Sequence, residues 1–182
     1  GSRDKTCILW DLQTGEKLQI LKGHTSSVNS ISIIPDGTWA VSGSKDETCI
    51  LWDLQTGKQL KALEGHNDSV NAVSITPDGK RAVSGSRDKT CILWDLQTGK
   101  KLNTLKGHTF WVNTVSITPD GKRVISGSLD KNCILWNLQT GKKLKILTGH
   151  TNDVWTVSVT PDGKRAVSGS TDNTCIFWDL QA

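Results

Sequence analysis

The sequence predicts an all-β chain assembled from repeated units of four short antiparallel strands. The strongest sign is a period of 42 residues: Cys-Ile-Leu-Trp starts at Cys7, Cys49, Cys91 and Cys133, and Cys-Ile-Phe-Trp at Cys175. A fixed period of this size marks a repeat architecture, in which each copy is one supersecondary unit. Gly-His at Gly23, Gly65, Gly107 and Gly149 and Pro-Asp-Gly at Pro35, Pro77, Pro119 and Pro161 keep the same spacing. Residues 43–84 and 85–126 differ at 12 of 42 positions, so the copies are recent or deliberately built. The second sign lies inside each copy, where runs rich in Val, Ile, Thr and Trp alternate with turn residues about every 8–12 positions, as in a chain of hairpins.

The elements follow in order. A partial unit, residues 1–22, supplies two strands, Thr6–Leu12 and Lys17–Leu21. Full units span residues 23–63, 64–105 and 106–147, and a last partial unit spans 148–182. In the second full unit the strands are a (Val70–Thr76), b (Arg81–Ser86), c (Thr90–Leu96) and d (Lys101–Leu105). Pro77-Asp78-Gly79 turns a into b, with Pro fixing φ and Gly accepting a positive φ, and Gln97-Thr98-Gly99 turns c into d. The first partial unit carries c and d, and the last carries a, b and c between Val154 and Leu180, which makes 17 strands. In a meander the d–a and b–c links share one end, called the top; the a–b and c–d links share the bottom.

Composition narrows the function classes. The 182 residues are 35% hydrophobic with 17 Gly and a net charge of +4, ordinary for a globular soluble protein and unlike a disordered one. No apolar run approaches the ~18 residues needed to cross a bilayer, and no membrane partner is expected. The chain lacks Met and opens with Gly-Ser into a strand-like run, which reads as an excised or processed segment. The five Cys stand one per copy with no C-x-x-C pair, so they read as small buried apolar residues of a reducing, cytoplasmic compartment rather than as metal ligands or disulfides. No metal and no cofactor is expected. Basic pairs such as Lys80-Arg81 and Lys122-Arg123 alternate with aspartates near the bottom links and read as a solvated rim, not a nucleic-acid footprint. Asn67-Asp68-Ser69 matches a glycosylation sequon by chance.

Gly-His followed 28 residues later by Trp-Asp, over a four-stranded unit and across the whole chain, resembles the WD40 repeat. The resemblance implies blades of a β-propeller, sheets arranged radially around a channel. Two departures stand out: Trp136-Asn137 replaces Trp-Asp, and Cys-Ile stands where relatives often carry a β-branched and then a basic residue.

Each full copy also holds a His, a Ser, an Asp and a Trp at constant offsets: His24, Ser42, Asp46, Trp52; His66, Ser84, Asp88, Trp94; His108, Ser126, Asp130, Trp136; His150, Ser168, Asp172, Trp178. The set invites a catalytic triad. Its fourfold repetition argues against an enzyme, and the resemblance implies a structural chain from Asp through His and Ser to the buried indole, whose N–H needs an acceptor.

Specificity is expected where the copies differ. Trp39, Trp111 and Trp155 lie outside the repeated slot, Trp39 replacing the Arg of positions 81, 123 and 165 near the bottom. In WD40 relatives the positions three and five after His, and the one before the b–c Asp, tend to display top-face contact residues. Carried over, these are Ser27, Asn29, Lys45; Ser69, Asn71, Arg87; Trp111, Asn113, Leu129; and Asp153, Trp155, Thr171. Phe110, Trp111, Asn113, Leu129 and Trp155, with Arg87 and Asp153 at the margin, then compose an aromatic patch with polar surroundings, suited to a protein or peptide partner. The expected function is a noncatalytic interaction scaffold; the alternative is a purely structural or self-assembling module without external ligand. Ring closure within one chain would give four blades, the low extreme, so pairing of two copies is expected, with strand d of each completing the last sheet of the other in a dimer of about eight blades. That arrangement leaves one surplus strand c per chain; a ten-blade ring is the alternative.

Overall fold

In the computed structural model, which describes residues 1–181, the regular elements are all strands. Strands β1 (Thr6–Trp10) and β2 (Lys17–Lys22) form a two-stranded sheet. Next come three four-stranded sheets: β3 (Val28–Ile33), β4 (Trp39–Ser44), β5 (Cys49–Asp53) and β6 (Gln59–Leu63); β7 (Val70–Ile75), β8 (Arg81–Ser86), β9 (Thr90–Asp95) and β10 (Lys101–Lys106); and β11 (Val112–Ile117), β12 (Arg123–Ser128), β13 (Asn132–Asn137) and β14 (Lys143–Thr148). A three-stranded sheet of β15 (Val154–Val159), β16 (Arg165–Ser170) and β17 (Cys175–Asp179) ends the chain. Every pairing is antiparallel between consecutive strands, and β3, β7, β11 and β15 lie side by side as the inner wall of an arc. The sheets do not close into a ring.

In the three four-stranded sheets the repeated Cys-Ile-Leu-Trp run is buried on both sides because each of these sheets is covered on both faces. Cys49 and Leu51 pack forward against Val70, Val73, Ala82 and Trp94 of the following blade. Ile50 and Trp52 pack backward against Cys7 and Leu21 of the preceding sheet. The same division recurs with Cys91 and Leu93 against Val112, Val124 and Trp136, and with Cys133 and Leu135 against Val154 and Ala166. Burying each of these large side chains is worth roughly 1.5–3 kcal/mol, so stacking stabilises the blades far more than any single sheet could.

Turn chemistry sets the strand ends. Strand c stops at Asp95 rather than Leu96, because the Asp95 carbonyl accepts the Gly99 N–H at 2.8 Å and its carboxylate accepts the Thr98 N–H at 2.7 Å. β1 likewise ends at Trp10, where the Asp11 carboxylate accepts the Gln13 and Thr14 N–H groups. The b–c turns place a non-glycine residue in the left-handed region, Lys89 at φ 71° and Glu47 at φ 73°, held by the preceding Asp. One expectation fails: Cys175 is exposed while the other four thiols are buried. Its burial would require a sheet stacked on the far side of β17, and none covers that face. Phe177 beside it is 72% exposed.

Strand b carries glycine where the following blade presses closest. A Cβ at Gly85 would stand 2.7 Å from Cγ1 of Val112, whereas at Gly169 it would meet only Thr156 and Cys175 of its own sheet, at 3.0 and 3.9 Å. Gly85→Ala should therefore cost about 1–3 kcal/mol through overpacking, and Gly169→Ala less than half of that. Urea unfolding of the two variants checks the difference; equal losses would mean that the last sheet is packed like the others.

Candidate functional site

The d–a link and the b–c turn meet at the top of each of the three full blades and of the last, three-stranded one, and build one polar relay in each. In the second full blade, Trp94 Nε1–H donates to Ser84 Oγ at 2.8 Å, Ser84 Oγ lies 2.7 Å from His66 Nε2, and His66 Nδ1 lies 2.7 Å from Asp88 Oδ2. The other three sets repeat these contacts: Trp52, Ser42, His24 and Asp46; Trp136, Ser126, His108 and Asp130; Trp178, Ser168, His150 and Asp172. Hydrogen-bond accounting selects the tautomer. Ser Oγ already accepts the indole proton, so its own proton goes to His Nε2, and Nδ1–H donates to the carboxylate. Each hydrogen then has one acceptor, and the Ser hydroxyl is spent inside the blade with Ser84 fully buried, closed to a substrate.

The carboxylates serve both arms of the joint. Asp88 Oδ2 also accepts the Asn67 N–H, while Oδ1 accepts Thr90 N–H and Oγ1–H. Burial raises the Asp46 pKa, but donation from Thr48, Thr25 and His24 outweighs it and brings the group down to about 2. Asp88 and Asp130 are lowered likewise, against burial, chiefly by their His partners. Burial pushes the thiols of Cys49, Cys91 and Cys133 up to about 12, which removes them as nucleophiles. Among the described residues no group of three His, Cys, Asp or Glu side chains could hold a metal ion. Among these residues, too, no helix is long and apolar enough to cross a membrane.

A second feature is a concave cavity of about 310 Å³ lined by Asn29, Asn71, Arg87, Trp111, Asn113 and Trp155. The backbone prepares it. The strand a–strand b ladder shifts register between Val70 and Ala72, and equally around residues 29, 113 and 155, so Asn29, Asn71, Asn113 and Trp155 each sit in a bulge that re-aims the side chain. Three of the four span to the next blade: Asn29, Asn71 and Asn113 Nδ2–H donate to the carbonyls of Val70, Val112 and Val154 at 2.9, 3.0 and 3.1 Å. Trp155 takes the fourth place and is 54% exposed. The Arg87 guanidinium lies 4.3 Å from the centroid of the Trp111 ring, its Nε buried without a hydrogen-bond partner. Such stacking is worth about 0.5–2 kcal/mol.

Of the residues singled out for the top face, Asn29, Asn71, Arg87, Trp111, Asn113 and Trp155 line this cavity together. Phe110 leans on Trp111 at 5.5 Å between ring centroids and is 44% exposed. Leu129 is half-buried with its N–H on the Trp111 carbonyl, and Asp153 gives its carbonyl to Thr171; neither side chain lines the cavity. The linking role of the asparagines was not foreseen, although an Asn recurring at one offset was a signal. The rim reading misses Arg123, which donates to the carbonyls of Leu180 at 2.6 Å and Gly163 at 3.1 Å across the blade joint. At the bottom, Ile34 and Trp39 help to line a cavity of about 520 Å³ that only their departure from the repeat could have signalled.

The family model described as WD domain, G-beta repeat matches residues 15–53, 57–95, 99–137 and 141–179. Among curated proteins the chain is similar to the guanine nucleotide-binding protein subunit beta-1 of Caenorhabditis briggsae, 44% identical over 43 residues, 24% of this chain and 13% of that protein. It is also similar to the guanine nucleotide-binding protein subunit beta of Dictyostelium discoideum, 42% identical over 43 residues, 24% of this chain and 12% of that protein. The matched stretch is thus about an eighth of these relatives, roughly one repeat.

Two outcomes follow from the relay. His66→Ala leaves Ser84 and Asp88 short of a partner and should cost about 1–3 kcal/mol in chemical denaturation, with no loss of a hydrolytic activity. The lowered carboxylates contribute stability that is present above their unfolded pKa of about 3.9 and is lost as pH falls through the folded value. Denaturant midpoints should therefore drop between pH 4 and pH 2, and Asp46→Asn should flatten that decline; an unchanged slope would show that the carboxylate contributes nothing.

Proposed function

The chain belongs to the WD40 repeat family, and from that premise we propose that it is a noncatalytic protein-interaction scaffold whose top-face cavity takes a peptide segment carrying an acidic side chain. The observation that carries the reading is Arg87. Its half-buried guanidinium stacks on Trp111 at the wall of a cavity and has no ion-pair partner among the described residues. A carboxylate would compensate that charge, and the exposed Trp155 indole offers the apolar contact typical of an interface anchor. The relay supports the same reading, since its four copies make a rigid frame and engage their own Ser hydroxyls inside the blades.

Selection of a displayed random heptapeptide library on the wild-type chain tests this. Acidic side chains should be enriched, and binding of the selected peptides should fall at least tenfold in both Trp155→Ala and Arg87→Gln while thermal stability holds. Enrichment without acidic residues, or affinity unchanged in both variants, would overturn the reading.

One observation favours self-association as a further use of the chain. β17 is the outer strand of a three-stranded sheet, with Phe177 and Cys175 exposed beside its unpaired edge. Such an edge is a template for another strand, and β2 of a second copy would supply it in a twofold dimer of about eight blades. Light scattering coupled to size exclusion should then give about twice the 19.8 kDa of one chain, returning to a single mass in Phe177→Lys. A monodisperse mass near 19.8 kDa for the wild type would refute the pairing.

A further inference from the structure

The bottom of the joint between the first two full blades holds an open cavity of about 520 Å³ lined by Ile34, Trp39, Asp36, Asp78, Gly79 and Lys80 among others. Its position in the repeat says what is missing from it. Two units further along, the residue equivalent to Trp39 is Arg123, and its guanidinium bridges the joint to the carbonyls of Gly163 and Leu180 at 3.1 and 2.6 Å. Subtracting two periods, the corresponding carbonyls at the open joint belong to Gly79 and Leu96. Trp39 has a single N–H on a rigid ring and cannot reproduce a forked pair of bonds. At the intervening joint Arg81 instead lies near the carboxylates of Asp78 and Asp95, whose charges it stabilises.

We infer that the cavity between the first two full blades is a binding site for an arginine side chain of a partner protein, which supplies from outside the guanidinium that Arg123 supplies from within. Three features agree with that occupant. The carbonyl pair equivalent to the acceptors of Arg123 fits a planar fork of donors. The Trp39 indole, half-buried at the cavity wall, provides a face on which a guanidinium stacks. The lining carries the carboxylates of Asp36 and Asp78 and the ammonium of Lys80, with Arg81 near Asp78 from the neighbouring joint, so Asp36 is the carboxylate without a cation beside it in the lining. In each carboxylate only Oδ1 is engaged by the turn, Asp36 with Thr38, Asp78 with Thr76 and Lys80. An ammonium would find the charge but neither the fork nor the flat stacking partner, so arginine is preferred over lysine. This site stands apart from the top-face cavity and shares no lining residue with it.

The test titrates the isotopically labelled chain with acetyl-Gly-Arg-Gly-amide, followed by the N–H resonances of Gly79, Leu96 and the Trp39 indole. The lysine and citrulline versions of the tripeptide serve as comparisons. The arginine peptide should shift all three resonances saturably and bind at least fivefold more tightly than either comparison. Trp39→Arg, which installs the residue of the sister copies, should abolish binding by filling the cavity from within. Trp39→Leu, which keeps an apolar side chain there, should weaken binding at least threefold. Trp155→Ala should leave it unchanged, which separates failure at this site from failure of the top-face reading. Absent shifts, equal response to the lysine or citrulline peptide, or binding that survives Trp39→Arg would overturn the inference.

Discussion

The structure depends on one constraint: strand c is apolar on both faces, so no blade can be stable by itself. Cys, Ile, Leu and Trp point alternately forward and backward, and a four-stranded sheet carrying them must be covered on both sides. Stacking is therefore obligatory rather than incidental, and the arc follows from repeating one joint. The glycine of strand b is the geometric counterpart, because the next strand a approaches so closely that a methyl group would meet Val112 at 2.7 Å. The same constraint explains the exposed Cys175 and Phe177. Cys175 is the same residue as in the buried copies and Phe177 replaces a Leu by another apolar residue; what they lack is a neighbouring sheet.

Within that frame the relay of Trp, Ser, His and Asp solves a local problem. An indole driven into the joint by its area brings an N–H that must be satisfied, and an unpaired buried donor costs about 1–3 kcal/mol. Ser accepts that proton, His accepts the one from Ser, and Asp accepts the one from His, so the demand is passed outward until it meets a carboxylate. That carboxylate in turn binds the backbone of both the d–a link and the b–c turn. The polar chain thus ties the orientation of a core side chain to the conformation of the two top loops. A rigid top rim is the functional consequence.

Much of this was legible because it is written in each copy: the strands, the turns and the four residues of the relay recur at constant offsets. What was not legible depends on pairs of copies. An Asn at a fixed offset could equally be a contact residue or a link to the next blade, and the register bulge that aims it across the joint appears only in the ladder. Arg123 looks like any member of a basic pair until the carbonyls of Leu180 and Gly163 are seen beyond it. The strand ends slipped by one or two residues because Asp95 and Asp11 accept turn N–H groups and pull the chain out of the ladder early. Asn137 shows why charge at that position is dispensable, since its amide oxygen accepts the Gln139 and Thr140 N–H groups in the same way.

The two cavities share an origin in how a repeat can acquire a site without losing its fold. At the top, an Asn amide spans to the following strand a; at the bottom of one joint, an Arg spans to the following blade. Both are polar links laid over an apolar core that already holds the blades together. Replacing such a link with Trp removes donors that span the joint but keeps, or adds to, the apolar contact beneath them. Trp39 does this at the bottom, while at the top Trp155 stands at the Asn position of the last strand a, which has no following blade to reach. The core cluster continues through the joint that carries Trp39, with Trp39 itself packed against it, so cohesion there does not rest on the link that was exchanged. The substitutions therefore leave the stacking intact and expose at the surface a flat aromatic face beside polar groups. Because the core stays apolar with only small exchanges such as Ala82 for Val124 and Val83 for Ile125, these are the positions at which a repetitive scaffold is free to differ, and hence where recognition is able to arise.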